Sequence, residues 1–297
     1  MLKTGFIGAG TTGTALAVRL SQKKWPVVAV SSRTPASAQR LAAMVPGCRA
    51  WHTSQEVVDA AELVFITTPD DAIARVCSEV QWHAGRSVVH CSGAHSVDVL
   101  ESAERSGAGV GSFHPLQTFA HLDQAMENLP GSTFALEAQQ PLLATLKQLA
   151  VLLNGSWVEL KPGDKVLYHT AAVFACNYLV TLVKLALDLW QDFGVSSKEA
   201  TRALLPLIRG TINNISTVGL PHCLTGPVAR GDLGTIERHL SALEASNPSL
   251  LAVYKELALQ TIPTALAKGR LDEQQAEEMK ILLTTQGESQ CGEGDTR

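Results

Sequence analysis

The stretch GSFHPLQTFAH, residues 111 to 121, puts His114 directly before Pro115 at the end of an apolar run. Proline disfavours helix in the residue before it, so the run reads as a strand that ends in a turn. An imidazole at a strand tip can exchange a proton with a carbonyl or hydroxyl near neutral pH, which makes His114 the leading candidate acid/base. A satisfied structural histidine is the other reading. A second apolar run, RSVVHCSG, ends on Ser92 and Gly93, where a hydroxyl could orient a reacting oxygen beside a residue with no side chain. Farther on, LTGPVARGD carries Arg230, whose guanidinium could hold a substrate carboxylate bidentately, while Asp232 suits the cap of the next helix. Pure capping and interhelix structure is the alternative for this loop.

These residues need elements to place them. The first half alternates short apolar runs (TGFIG, PVVAV, ELVFITT, RSVVHCSG, AGVGSF) with helical segments such as GTALAVRLSQ and PASAQRLAAM. Strands alternating with helices imply an α/β fold, a Rossmann-type doubly wound parallel sheet. STFALEA and SWVEL extend the sheet, with a helix between them. After KPGD the strand signals vanish and helices are expected at 165–193, 197–216, 232–245, 248–268 and 272–284, an all-helical second domain. The expected organisation is therefore 1–162, 163–285 and a disordered tail at 286–297. The run from 165 to 193 is apolar round most of its circumference, as in a helix buried in a bundle or dimer core, so a homodimer through the helical domain is expected.

The segment FIGAGTTGTALA holds Gly8, Gly10 and Gly13 in G-x-G-x-x-G spacing, after a strand and opening a helix. That context points to a dinucleotide whose pyrophosphate rests on the helix N-terminus, with Ala9, Thr11 and Thr12 completing the turn. A site specific for NAD places an acidic residue at the end of the second strand, yet none occurs before Glu56. Ser31, Ser32 and Arg33 stand there instead, a set suited to a 2′-phosphate, so NADP(H) is the expected cofactor. Arg40 is a weaker second candidate. Ligands of open α/β sheets lie outside the carboxyl ends of the strands. Thr67, Thr68 and Pro69 should accordingly border the cofactor, with Ser92, Gly93 and His114 near its nicotinamide.

Composition narrows the classes. Hydrophobic residues make up 45% and charged ones 18% of 297 residues, an ordinary globular mix. A net charge of -4 offers no field for a phosphate backbone, which argues against nucleic acid. The most apolar stretch is broken by His169, Asn177, Lys184 and Asp188, which argues against a membrane span. The start shows no charged segment leading into a long apolar run, and six cysteines lack any C-x-x-C pair, so a reducing cytoplasm is expected. Five histidines crowd residues 83 to 121 without metal-ligand spacing, and no metal is expected.

The motifs FIGAGTTG, TTPDDAI, HCSGAHS, GSFHPLQTFA, YHTAAVFACNYLV and LTGPVARGDLGTIERHL together resemble the bacterial Rossmann-like NADP oxidoreductases that carry a helical C-terminal domain of unknown function. More distantly, the architecture is similar to the 6-phosphogluconate dehydrogenase-like group, which includes ketopantoate reductase, pyrroline-5-carboxylate reductase and prephenate dehydrogenase. The resemblance implies a nicotinamide cleft, a histidine at His114 touching the substrate hydroxyl and a substrate-binding serine at Ser92. It also implies a general acid/base lysine at Lys165, although His169 stands where those relatives have asparagine. Lys165 and His169 share a helical face, whereas Asn177 lies about 80° round from His169, on a stripe that could line the cleft or face water. The resulting expectation is an NADP(H)-dependent oxidoreductase acting on a small polar, carboxylated keto/hydroxy or imine/amine substrate. A non-catalytic NADP(H)-binding sensor is the alternative.

Overall fold

A computed structural model of the chain describes residues 1–285. Its N-terminal part builds one sheet of eight strands: β1 (Thr4–Ile7), β2 (Val27–Ser31), β3 (Arg49–Ala50), β4 (Leu63–Ile66), β5 (Ser87–His90), β6 (Gly109–Leu116), β7 (Thr133–Ala138) and β8 (Ser156–Glu159). The spatial order is β3-β2-β1-β4-β5-β6-β7-β8. Strands β1 to β6 are parallel, β7 runs antiparallel to β6, and β8 is parallel to β7. The apolar runs thus form the expected doubly wound sheet. Only the two-residue β3 escapes the sequence pattern, being too short to show a period.

Helices cover both faces because the strands are apolar on both, as parallel strands require. On one side α1 (Thr11–Gln22), α2 (Pro35–Met44), α6 (Leu122–Asn128) and α7 (Leu142–Leu152) enclose a core that runs through Phe6, Phe65, Phe113 and Phe134. Those rings contact in series, with centroids 5.1, 5.8 and 4.5 Å apart. On the other side α3 (Ser54–Ala60), α4 (Ile73–Ser78) and α5 (Glu101–Arg105) pack on Val64, Ile66 and Val88.

The chain divides into two compact units, Met1–Tyr178 and Leu179 onward. Strands end near the expected boundary at 162, but the first unit continues for sixteen residues beyond it. The reason lies in α8 (Asp164–Ala172), whose Lys165 and Tyr168 bond to residues of β6. A π-helical turn, Val173–Asn177, follows α8 and leads into α9 (Tyr178–Asp192). Gly163, with φ +92°, caps α8, and Asp164 accepts a hydrogen bond from the Lys161 N–H.

The second unit holds α10 (Ser197–Thr217), α11 (Leu233–Ser246), α12 (Leu251–Lys268) and α13 (Glu273–Thr284), close to the spans read from sequence. Its core gathers Ile236, Ile262, Met279 and Leu283. Ser196 and Asp272 close capping boxes, and Asp232 caps α11 through the Thr235 N–H. The run Asp164–Asp192 is long and apolar enough to cross a membrane by length and composition. None of α9 is buried. The expected tail at 286–297 lies outside the described residues.

Candidate active site

Two concavities open along the carboxyl ends of the strands in the first unit. The first, about 360 Å³, is lined by Gly8, Ala9, Gly10, Ser31, Ser32, Arg33, Thr67, Thr68 and Pro69, all expected from sequence. Structure adds Thr34, His52, Ser54 and Arg75 to its wall. Gly8 has φ +113°, and a Cβ there would stand 2.7 Å from the Thr67 carbonyl, so only glycine lets β1 and β4 approach this closely. Gly10 caps α1 without a side chain, and a Cβ there would meet nothing within 4 Å. The unpaired N–H groups of the first turn, contributed by Thr11, Thr12 and Gly13, therefore adjoin open space. Thr11, Thr12 and Gly13 belong to that turn and do not line the concavity itself.

These residues fit a phosphorylated dinucleotide. The helix end suits a pyrophosphate, and the hydroxyls of Ser31 and Thr68 are buried without a protein partner in the concavity's wall. At the end of β2 the wall carries the Arg33 guanidinium, and Arg75 and its partner Glu79, 3.7 Å apart, line it from the side of α4. Arg40 bonds to Ser37 on the surface of α2 and takes no part.

The second concavity, about 670 Å³, lies beyond the tip of β6. It is lined by His114, Leu116, Gln117, Thr118 and Phe119, then by Tyr168, His169, Ala171, Ala172, Ala175, Cys176 and Asn177. His114 Nδ1 is hydrogen-bonded to the Tyr168 hydroxyl at 2.8 Å. Burial, reinforced by the positive charge of Lys165, pulls the His114 pKa down to about 4, so the ring is neutral at physiological pH. Burial likewise raises the Tyr168 phenol to about 12. The two imidazoles close on Gly93: a Cβ on it would lie 2.6 Å from His169 Nδ1 and 2.8 Å from His114 Nε2. His169 Nδ1 is itself buried without a partner.

Asn177 reaches this wall because of the π turn. In a regular α-helix eight residues leave it about 80° from His169, but a turn closed by i→i+5 bonds holds one extra residue and takes back roughly 100°. Asn177 turns back toward the side of His169 and lines the cavity, where it is also exposed.

Two residues expected at the reacting centre are held by protein partners. Ser92 is 3% exposed, and its hydroxyl donates to Asp70 at 2.6 Å while accepting from the N–H groups of Ala94 and His95. With these three bonds it braces the turn that carries Gly93. Lys165 is 2% exposed, with Nζ donating to Ser112 at 2.5 Å. It lines neither concavity. Burial draws its pKa down to about 8, against the opposing pull of Glu137, which faces Ser112 across the β6–β7 pair. Beneath them His90 accepts the Ser92 N–H at Nδ1, and its Nε2 meets the Ser96 carbonyl. That arrangement fixes a neutral ring, and burial holds its pKa near about 3. Arg230 stands in the second unit, 3.6 Å from Asp232.

Sequence reasoning missed Tyr168, Arg75 and His52. No periodicity marks them, and each gains its neighbours through folding alone.

A family model described as a Rossmann-like domain matches residues 1–115, and one described as a domain of unknown function, DUF2520, matches residues 132–261. No curated protein matches the chain. Among solved structures it is similar to a "putative NADP oxidoreductase" from Bacteroides fragilis, with 28% identity and TM-score 0.69, covering 88% of this chain and 98% of that one. It is similar also to protein TM1727 from Thermotoga maritima, with 26% identity and TM-score 0.74, over 90% and 100% of the two chains. Pyrroline carboxylate reductase from Plasmodium falciparum, solved with NADP bound, shares the fold at 15% identity and TM-score 0.60, over 95% and 98%.

Proposed function

We propose that this chain, in which a match to a Rossmann-like domain is followed by a match to a DUF2520 domain, is an NADP(H)-dependent oxidoreductase. It would move hydride to or from a carbonyl, alcohol, imine or amine carbon of a small molecule. One observation carries the reading: a dinucleotide cradle and a cavity holding a hydrogen-bonded Tyr168–His114 pair lie along the same edge of one sheet.

Gly8, Gly10 and the first turn of α1 would hold the pyrophosphate, and Arg33 with Ser32 would take the 2′-phosphate. Bound there, the cofactor supplies the hydride and its two electrons. In the reducing direction a C–H bond forms as the C=O or C=N π bond breaks, and the heteroatom needs a proton. A neutral His114 with its Nδ1 accepting from Tyr168 carries its remaining proton on Nε2, the tautomer assigned here. His114 gives that proton to the developing oxyanion or amide and takes the Tyr168 proton at Nδ1; solvent then restores the phenol. His169 and Asn177 orient the substrate from α8 and the π turn. Lys165, out of reach, acts through His114 by keeping it neutral, and Ser92 fixes the backbone that separates the imidazoles. That His114 opens onto the cavity supports turnover over a non-catalytic sensor.

The assembly proposed is a cytoplasmic homodimer. Among the described residues all cysteines are free thiols, as a reducing compartment allows. Helices α9 and α10 expose Val180, Leu207, Ile212 and Ile215, an apolar face that a second copy would cover. The test of the activity is titration with NADPH and NADH followed by a hydride-transfer screen over ketones, keto acids and imines. Tight NADPH binding with oxidation of NADPH by one class is the expected result. Absence of NADPH binding overturns the reading, and an unchanged rate in Tyr168→Phe removes the proton path.

A further inference from the structure

The cavity beyond β6 has an unusual lining for an enzyme of small metabolites. Among the described residues that line it there is no lysine, arginine, aspartate or glutamate. Its polar groups are two imidazoles, a phenol, two amides, a hydroxyl and the Cys176 thiol, and burial keeps the His114 ring neutral. Leu116 and Phe119 face it from the end of β6 and the following loop, and Ala171, Ala172 and Ala175 from the helix. Lys165 is sealed behind the strand with its ammonium on Ser112.

Such a lining discriminates by charge. An ionised carboxylate entering it would leave water and find no cation, and an unpaired buried charge is disfavoured far more strongly than an unpaired neutral dipole. An apolar substituent gains from the same walls in proportion to the area it buries. The volume lies within the range of pockets that take ring-bearing ligands, well above what a three- or four-carbon keto acid fills. Ala171, Ala172 and Ala175 add no bulky side chain to the wall.

Resting on the oxidoreductase reading above, we infer that the substrate is an uncharged carbonyl or imine compound with a cyclic or aryl substituent, not a keto acid. Gln117, Thr118 and Asn177 set its orientation through neutral hydrogen bonds, and the Tyr168–His114 pair meets its heteroatom.

The test uses a matched pair that differs in one group, acetophenone and benzoylformate, with the full-length protein saturated with NADPH. Rates of NADPH oxidation and thermal shifts of the NADPH complex are both recorded. A kcat/KM at least tenfold higher for acetophenone, with thermal stabilisation by it and not by benzoylformate, is expected. Equal or greater values for the keto acid overturn the inference while leaving the oxidoreductase reading intact. Stabilisation by acetophenone without NADPH oxidation upholds the ligand class and sinks the catalytic reading; no response to either compound overturns the inference, and the NADPH titration then judges the cofactor separately. Ala172→Arg, which places a cation in the cavity, should bring the preference toward benzoylformate by tenfold or more. A ratio unchanged by that cation would show that charge does not set the selection.

Discussion

His114 offers the sharpest quantitative test, because its burial turns acidification into a measurable cost. Its pKa falls from the ordinary 6.5 to about 4 on folding. Below pH 6.5 the unfolded chain therefore gains a proton that the folded protein refuses until about pH 4. Stability from this site is complete above pH 6.5 and is lost as the pH drops toward 4. Between pH 7 and pH 5 the loss amounts to about 2 kcal/mol. For a unit of this size that corresponds to a melting temperature lower by about 4–8 °C. His90, held near about 3 by the same causes, adds a comparable loss. Thermal melts followed by circular dichroism from pH 7 to 5, on the native protein and on His114→Phe, separate the contributions. The variant is less stable at pH 7, since Tyr168 loses its acceptor, but its decline with acid is shallower by about 2 kcal/mol. A constant offset is what any damaging substitution gives; only removal of a buried neutral histidine alters the slope. Parallel curves for the two proteins across this range would refute a neutral, buried His114.

Three other expectations follow from the same geometry. Arg33→Ser should weaken NADPH about tenfold to a hundredfold, the worth of one or two charge-assisted bonds to phosphate, and leave NADH unchanged in fluorescence titrations; equal losses for both nucleotides would remove Arg33 from the 2′-phosphate site. Gly93→Ala forces His114 and His169 apart by several tenths of an ångström, so the rate with any accepted substrate should fall about a hundredfold while NADPH affinity holds; a normal rate would mean that the two rings are not held in register by that glycine. Ile212→Asp in α10 should convert a homodimer to monomer in analytical ultracentrifugation, and a native protein that is already monomeric disposes of the proposed assembly.

Much of the fold was legible because it follows from local rules. The glycine turn, the alternation of strand and helix and the lack of an early carboxylate are all written in consecutive residues, and helix ends matched where Asp232, Ser196 and Asp272 supply caps. The site was legible in position more than in role. His114 and His169 both flank Gly93, whereas Lys165, which the resemblance reads as the acid/base, is anchored to Ser112, 53 positions away in sequence. Ser92 was placed at the correct edge, yet its bond to Asp70 crosses from one strand tip to the next and leaves no local trace. Tyr168 reads in sequence like any aromatic on a helix; its partner is 54 residues distant. Asn177 eluded the helical wheel because that projection assumes a constant angle per residue.

The wide turn at Val173–Asn177 also governs how kin of this chain should be aligned. Loss of a single residue there would restore an unbroken helix and swing the amide away from the cavity by about 100°, while every upstream ligand stayed put. Homologues whose helix lacks that residue will therefore present a different side chain to the bound molecule, and gaps in this stretch are a sorting criterion for specificity.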